Sequence, residues 1–243
     1  MTSDGADPDS TPFQAMFGFP PPPARWDLVL AGPHNAAALR IAVNPENWAT
    51  PVLAITGPAK CGLSFLAEAW AGRFDGALMS PATLTKVGRR GLDELAARHV
   101  AVDDADPGGA KQDEALLSLM NLVSASGGRL LLLSHRAPSQ WRTPSADLRS
   151  RLKALPTGEI GPPDEGLLRE RLILGAERRF LRLSPETLNY LVPRLELAYD
   201  AAENFMDRLS NAVSQHDRAP SLPLARLVLN EMTGGGEDNA AER

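Results

Sequence analysis

The sequence has one cysteine, few aromatic residues and no long apolar run. Cys61 alone cannot form an internal disulfide or a cysteine-based zinc site, and one free thiol is typical of a reducing compartment. No apolar run approaches the ~18 residues that a membrane-spanning helix needs. The first ten residues lack the basic and apolar segments of a signal peptide. We therefore expect a cytoplasmic protein that does not bind a membrane.

The chain also has fewer basic than acidic residues. Lysine and arginine number 25 against 30 acidic residues, which gives a net charge of -5. A surface that binds nucleic acid mainly by neutralising phosphates carries the opposite excess. The balance therefore argues against direct sequence-specific DNA binding, although it leaves room for a local basic patch. The hydrophobic content of 43% is enough for a substantial core.

The middle of the chain alternates short apolar runs with helical patterns. The runs lie at 51–56, 99–103, 129–134 and, more weakly, 157–160. Helical patterns lie between and around them, at 35–43, 64–72, 92–98, 113–125 and 146–154. Continuous apolar runs are typical of strands buried on both faces. This alternation predicts an α/β fold, a parallel sheet covered by helices on both sides.

The pattern becomes purely helical after Gly161-Pro162-Pro163. Four helices are predicted, at 164–179, from Ser184 onward, near 198–215 and at 221–232. We therefore expect an α/β body over 25–161 and a small all-α lid over 162–233. The flanking segments 1–24 and 234–243 are expected to be disordered tails, the first carrying a proline-rich spacer at 20–23.

A glycine-rich turn stands between the first apolar run and the following helix. In the phosphate-loop pattern G-x-x-x-x-G-K-[ST], Gly57, Gly62 and Ser64 match, while Leu63 replaces the lysine. Such a loop cradles an anion with its amides, and Ser64 is placed to bind Mg²⁺. A charge-assisted hydrogen bond contributes about 1.5–3 kcal/mol, so ADP or ATP with Mg²⁺ remains a candidate ligand, weakened by Leu63. Two alternatives stay open: Lys60 bends back to the phosphates, or the segment is a turn with chance glycines.

Polar residues follow the next two apolar runs. Asp103 is a candidate Mg²⁺ ligand and Asp104 a candidate for orienting water. His135 stands where related ATPases place a residue that senses the γ-phosphate. Alternatively, the aspartates belong to a turn and the histidine is an ordinary loop residue. Farther along, Arg151 is a candidate arginine finger that enters a neighbour's nucleotide site, the alternative being a solvated surface arginine.

The order of these motifs resembles the AAA+ family, and specifically the bacterial replication initiator DnaA and its shorter relative, the Hda family. The resemblance rests on five stretches: DLVLAGPHNAAAL, ITGPAKCGLSFLAEAW, HVAVDDAD, LLLLSHRAPSQW and SADLRSRL. It covers about residues 13–232. It implies an AAA+ phosphate-loop sheet with flanking helices, followed by the helical lid.

The resemblance also implies roles for the ends of the chain. Gln14, Met16 and Phe17 look like the short motif that docks into the sliding clamp of the replicase. In the alternative, Phe13, Met16, Phe17 and Phe19 fold back onto the body. In the lid, Asp200 falls about where the initiator keeps a nucleotide-contacting arginine, and Arg194 precedes it. With positive charge missing at positions 63 and 200, weak nucleotide binding and little intrinsic hydrolysis are expected.

The function implied is negative regulation of chromosome replication initiation. The protein would bind the DNA-loaded sliding clamp, so it would be nucleoid-associated, and would promote ATP hydrolysis by DnaA through Arg151. A first alternative is a catalytically inactive AAA+-like adaptor that links another partner to the clamp. A second is an active ATPase that uses Lys60. The sequence leaves a homo-oligomer open.

Overall fold

A five-stranded parallel sheet forms the centre of the protein. The computed structural model describes residues 23–216 and 219–234. The strands are β1 (Val52–Thr56), β2 (Ala77–Met79), β3 (His99–Val102), β4 (Arg129–Ser134) and β5 (Thr157–Glu159). Their order is β2-β3-β4-β1-β5, and every neighbouring pair is parallel. The predicted α/β class with a parallel sheet is confirmed.

Six helices accompany the sheet and four follow it. The first group is α1 (Ala36–Ala42), α2 (Leu63–Arg73), α3 (Pro81–Leu84), α4 (Arg89–Ala96), α5 (Ala110–Ser126) and α6 (Ala146–Lys153). The second group is α7 (Glu165–Arg178), α8 (Pro185–Leu191), α9 (Ala201–His216) and α10 (Leu222–Met232). Short 3₁₀ turns occur at Trp26–Leu28, Pro45–Asn47 and Pro138–Gln140. Among the described residues, no helix is long and apolar enough to cross a membrane.

Both faces of the sheet are buried, because successive side chains of a strand point to opposite sides. Leu53 and Ile55 of β1 pack with α1 and α2 in one cluster, whereas Val52 and Ala54 pack with α5 and α6 in the other. All five residues of β1 are buried. The uninterrupted apolar runs of the central strands follow directly from this double coverage.

The four C-terminal helices form a core of their own around Phe205 and Leu209, both fully buried. Two of these helices begin at side-chain caps. Asp164 accepts a hydrogen bond from the Leu167 amide, and Ser184 accepts one from the Thr187 amide. We refer to residues 162–233 as the lid and to residues 25–161 as the body.

Two short elements are absent from the sequence-based prediction. The edge strand β2 has only three residues, half-buried or exposed, so it lacks the apolar run that marks a buried strand. Helix α3 has four residues and begins at Ser80, which forms a capping box with Thr83. Other bounds shift by a few residues: α5 begins three residues before the predicted Asp113, and α4 before the predicted Leu92.

Candidate functional site

The phosphate loop connects β1 to α2 and is shaped by two left-handed residues. Gly62 has φ 97° and Lys60 has φ 63°. Gly57 is needed for a close approach rather than for its φ angle. A Cβ there would lie 2.7 Å from Cys61 Sγ and 2.9 Å from Ile160 Cβ. The loop is therefore folded tightly over the end of β5 and into the start of α2.

Leu63 packs into the apolar core beneath the loop. It opens α2, is only 4% exposed and belongs to the cluster that contains Leu66 and Ile55. Burying such a side chain contributes about 1.5–3 kcal/mol. The position of the missing lysine thus serves packing, while Ser64 next to it is exposed.

Lys60 contacts the lid. Its Nζ atom lies 3.1 Å from Asp200 Oδ2, with the two side chains 64% and 36% exposed. The hydrogen bond from Lys60 lowers the pKa of the Asp200 carboxyl. The sequence-based alternative in which Lys60 bends back to the phosphates has to compete with this ion pair.

A cavity of about 260 Å³ lies between the loop and the lid. Its lining is largely apolar and comes from α1 and the segment before it, from the start of α2, from the end of β5 and from the lid. The apolar residues include Leu28, Leu30, Leu39, Ile160, Leu167 and Leu174. A concave, largely apolar site with a few polar groups is typical of a small-molecule pocket.

Polar side chains also line this cavity, among them His34, Arg171 and Tyr199. Arg171 of α7 donates to the Tyr199 carbonyl oxygen and lies 5.8 Å from the centre of its ring. Burial lowers the pKa of Arg171 and raises that of Tyr199 to about 12. Tyr199 donates its hydroxyl to the Gly161 carbonyl oxygen at 2.6 Å, which ties lid to body. His34 Nδ1 is buried without a hydrogen-bond partner among the described residues, and burial lowers its pKa.

Cys61 also lines the cavity. Burial raises the pKa of its thiol, an effect opposed in smaller measure by hydrogen bonds from the backbone amides of Leu63 and Cys61. A high pKa keeps the thiol neutral at pH 7.

The predicted acidic residues follow β3. Asp103 is half-buried, and its Oδ1 accepts from the Asp104 amide at 3.0 Å. Asp104 is exposed and has φ 49°, a turn conformation. His135 follows β4, and its Nδ1 lies 3.0 Å from the Gly57 carbonyl oxygen. The structure thus brings His135 to the phosphate loop and places Asp103 and Asp104 in a turn directly after β3.

The two predicted arginines lie on separate surfaces. Arg151 is exposed in the last turn of α6, with Nε 3.0 Å from Asp147 Oδ1. Arg194 stacks on Tyr190, with its guanidinium 4.2 Å from the ring centre, and Arg226 lies on the same ring. Arg194 is not among the residues that line the cavity. The clamp-motif residues Gln14, Met16 and Phe17 lie outside the described residues.

The residues present suit the base of an adenine nucleotide better than its phosphates. The apolar part of the cavity suits a base, and the first amides of α2 offer donors to a phosphate. The charge that normally faces the phosphates is absent at Leu63, and Asp200 adds a carboxylate nearby. The described residues hold no group of three or more His, Cys, Asp or Glu that could bind a metal ion. Ser64 and Asp103 remain the candidate Mg²⁺ ligands.

Sequence reasoning missed the cavity residues His34, Arg171 and Tyr199. They come from the segment before α1, from α7 and from the residue that precedes Asp200, so they are neighbours only in the folded chain. Tyr199 carried a usable signal, since it is one of only two tyrosines in the chain. No sequence signal set Arg171 apart from the other arginines of the lid.

Comparison with known proteins supports the fold. No protein-family model matches the chain. An uncharacterized protein of Haemophilus influenzae is 33% identical over 138 residues, which span 54% of this chain and 58% of that protein. The chain thus matches less than two thirds of that relative.

Solved structures match over more of the chain. Domain III of the replication initiation protein DnaA from Thermotoga maritima superposes with a TM-score of 0.69 at 18% identity, covering 86% of this chain and 97% of that domain. AMPPCP-bound DnaA from Aquifex aeolicus gives a TM-score of 0.63 at 15% identity, over 80% of this chain and 69% of that one. At this level of identity the likeness concerns the fold. Strand order, helical lid and structural neighbours agree, and the chain has an AAA+ fold of the DnaA type.

Proposed function

We propose that this protein is a negative regulator of chromosome replication initiation that binds the sliding clamp and promotes ATP hydrolysis by the initiator DnaA. One observation carries the proposal: Arg151 is exposed, while the chain's own lysine position is filled by a buried leucine. An arginine finger supplied to another protein's site stabilises the charge that develops during phosphoryl transfer. Its owner does not need to hydrolyse ATP.

The packing of α6 suits such a finger. Leu148 and Leu152 are 0% and 2% exposed and anchor the helix in the core, and Ser145 caps its first turn. Arg151 therefore projects from a rigid element. Both side chains of its ion pair with Asp147 are exposed to solvent, and pairs of this kind contribute only about 0–1 kcal/mol to stability. A phosphate in a partner's site can replace the carboxylate at little cost.

Clamp binding rests on the resemblance of Gln14, Met16 and Phe17 to a clamp-docking motif. Burying Met16 and Phe17 in an apolar pocket would contribute about 1.5–3 kcal/mol each. Association costs consume much of this, so the motif alone is expected to bind weakly. Proline residues 20–23 would hold it away from the body.

A nucleotide in the chain's own site would have a structural role. The first amides of α2 would hold its phosphates, and Ser64 and Asp103 would hold Mg²⁺. The chemistry that Mg²⁺-ATP supplies is phosphoryl transfer, which this site is poorly equipped to assist. Bound ADP or ATP would instead join body and lid across the cavity.

The experiment that tests the proposal measures ATP hydrolysis by DnaA with clamp-loaded DNA and the full chain. We expect the chain to accelerate hydrolysis only when the clamp is present. Phe17→Ala should abolish the acceleration, whereas Phe19→Ala, outside the motif, should preserve it. Acceleration that is the same without the clamp, or unaffected by Phe17→Ala, contradicts the proposal.

A second candidate function is an inactive adaptor that brings another partner to the clamp. Two contacts at the phosphate loop favour it: Leu63 is buried, and Lys60 is paired with Asp200 of the lid. Neither side chain is then available to a phosphate. In the same assay, clamp binding without any acceleration of hydrolysis by DnaA would support the adaptor.

A further inference from the structure

One ion pair joins the phosphate loop to the lid. Lys60 Nζ lies 3.1 Å from Asp200 Oδ2, and the two residues are 140 positions apart. Within residues 23–216 and 219–234, no other ion pair connects the body with the lid. The remaining ion pairs of this part lie inside the body or inside the lid.

The pair stands beside the cavity. Lys60 directly precedes Cys61, and Asp200 directly follows Tyr199; both Cys61 and Tyr199 line the cavity. The Lys60 and Asp200 side chains are themselves partly exposed. Lys60 and Asp200 do not themselves line the cavity, so the ion pair lies next to its lining, where the loop and the lid meet.

We propose that the Lys60–Asp200 pair is a gate on this cavity. With the pair formed, the phosphate loop is held to the lid and access to the cavity is restricted. When the pair breaks, the loop separates from the lid while Tyr199 stays bonded to Gly161. The gate does not depend on the clamp, on DnaA or on a nucleotide, so it stands or falls separately from the proposed function.

The charges and exposure make this gate weak and responsive to anions. A solvent-exposed pair contributes about 0–1 kcal/mol and is screened by salt. An anion that binds the exposed Lys60 ammonium competes with Asp200 and so opens the gate. Since about 1.4 kcal/mol is a tenfold change, a pair in the upper half of that range, once broken, increases opening by about two- to fivefold.

The chain carries its own probe of the gate. Cys61 is the only cysteine and lines the cavity, so its rate of reaction with a small neutral thiol reagent reports access. We expect Lys60→Met and Asp200→Asn each to raise that rate about two- to fivefold in the full-length protein. Raising the salt concentration should accelerate labelling of the wild type but not of either variant. Lys86→Met, at an exposed lysine in the body, is the matched control and should label as the wild type does.

The two substitutions also separate opening from simple electrostatics. Lys60→Met removes a cation near the thiol and disfavours the thiolate, whereas Asp200→Asn removes an anion and favours it. A purely electrostatic effect would move the two labelling rates in opposite directions. The gate raises both, and the Lys60→Met/Asp200→Asn double variant should match the singles. Equal rates in wild type and variants, including no labelling in any, or rates that diverge in sign, would overturn the proposal.

Discussion

The phosphate loop and helix α6 differ in whether a positive charge is available to a phosphate. At the loop, the lysine position holds Leu63, which is 4% exposed, and the neighbouring cation Lys60 is bound to a carboxylate of the lid. At α6, Arg151 is exposed and is held only by a surface pair to Asp147, one turn away. The lysine position of the loop thus carries no charge, whereas α6 presents an exposed arginine.

This difference indicates that α6 is better suited than the loop to assist phosphoryl transfer from ATP. A phosphate bound at the loop would meet backbone amides but no lysine at position 63, whereas a phosphate brought to α6 would meet an exposed guanidinium in a weak surface pair with Asp147. The comparison predicts that changes at Arg151 affect hydrolysis by a partner, and that changes at the loop affect the stability and access of this chain.

The largest expected effect is that of Arg151→Ala. If the side chain is an arginine finger, its loss should lower accelerated ATP hydrolysis by DnaA by about a thousandfold. The measurement is single-turnover hydrolysis of DnaA-bound ATP with clamp-loaded DNA. Arg149→Ala is the matched control, since Arg149 is exposed on the same helix; it should retain nearly full activity. If both variants lose activity equally, general positive charge rather than a finger is responsible.

The next effect concerns the loop. Leu63→Lys restores the lysine of the phosphate-loop pattern but removes a buried leucine. We expect the free energy of unfolding to fall by about 1.5–3 kcal/mol, the burial that leucine contributes. Denaturant unfolding measures it, with Leu63→Met, a volume-conserving change, expected to cost under about 1.5 kcal/mol. No loss of stability in Leu63→Lys would show that position 63 is still free to face a phosphate.

Much of the fold could be predicted from the sequence, because the central strands are buried on both faces and so appear as continuous apolar runs. β4 was predicted with its observed bounds at 129–134, and the Ser184 cap at the start of α8 was also predicted. The edge strand β2 was not predicted, because a three-residue strand with an exposed leucine, Leu78, has no such run.

The site was less predictable than the fold. The loop could be located from Gly57, Gly62 and Ser64, but the direction of Leu63 depends on apolar neighbours from β1 and α2 that only the folded chain brings together. The partnership of Lys60 with Asp200 spans 140 positions and has no local signature. Sequence patterns report periodicity and local motifs, whereas these contacts arise from the packing of the lid on the body.

A smaller effect is expected at the junction of lid and body. Tyr199→Phe removes the hydroxyl that donates to the Gly161 carbonyl oxygen at 2.6 Å. A hydrogen bond of this kind contributes about 0.5–1.5 kcal/mol, so unfolding should become easier by about that amount. Tyr190→Phe, at the other tyrosine of the chain, provides the control. If Tyr199→Phe is as stable as the wild type, the junction is held by packing alone.

The smallest effect is a pH dependence at the cavity. Burial lowers the pKa of His34 below that of the unfolded chain, so below pH 6.5 the unfolded state binds the proton first. Stability should therefore fall as the pH drops from 7 through 6.5 and level off below the folded-state pKa. His34→Gln should flatten part of this slope in unfolding measurements at several pH values. His99, whose pKa burial also lowers, should supply a separate part of the slope, so an unchanged slope in His34→Gln would contradict the expectation.

The most direct test of the account identifies which protein's ATP is hydrolysed. Labelled ATP is loaded either onto DnaA or onto this chain, and the two proteins are then mixed with clamp-loaded DNA and unlabelled ATP. The account predicts rapid conversion to labelled ADP when the label starts on DnaA, and little or none when it starts on this chain. Conversion at a comparable rate from label loaded on this chain would contradict it.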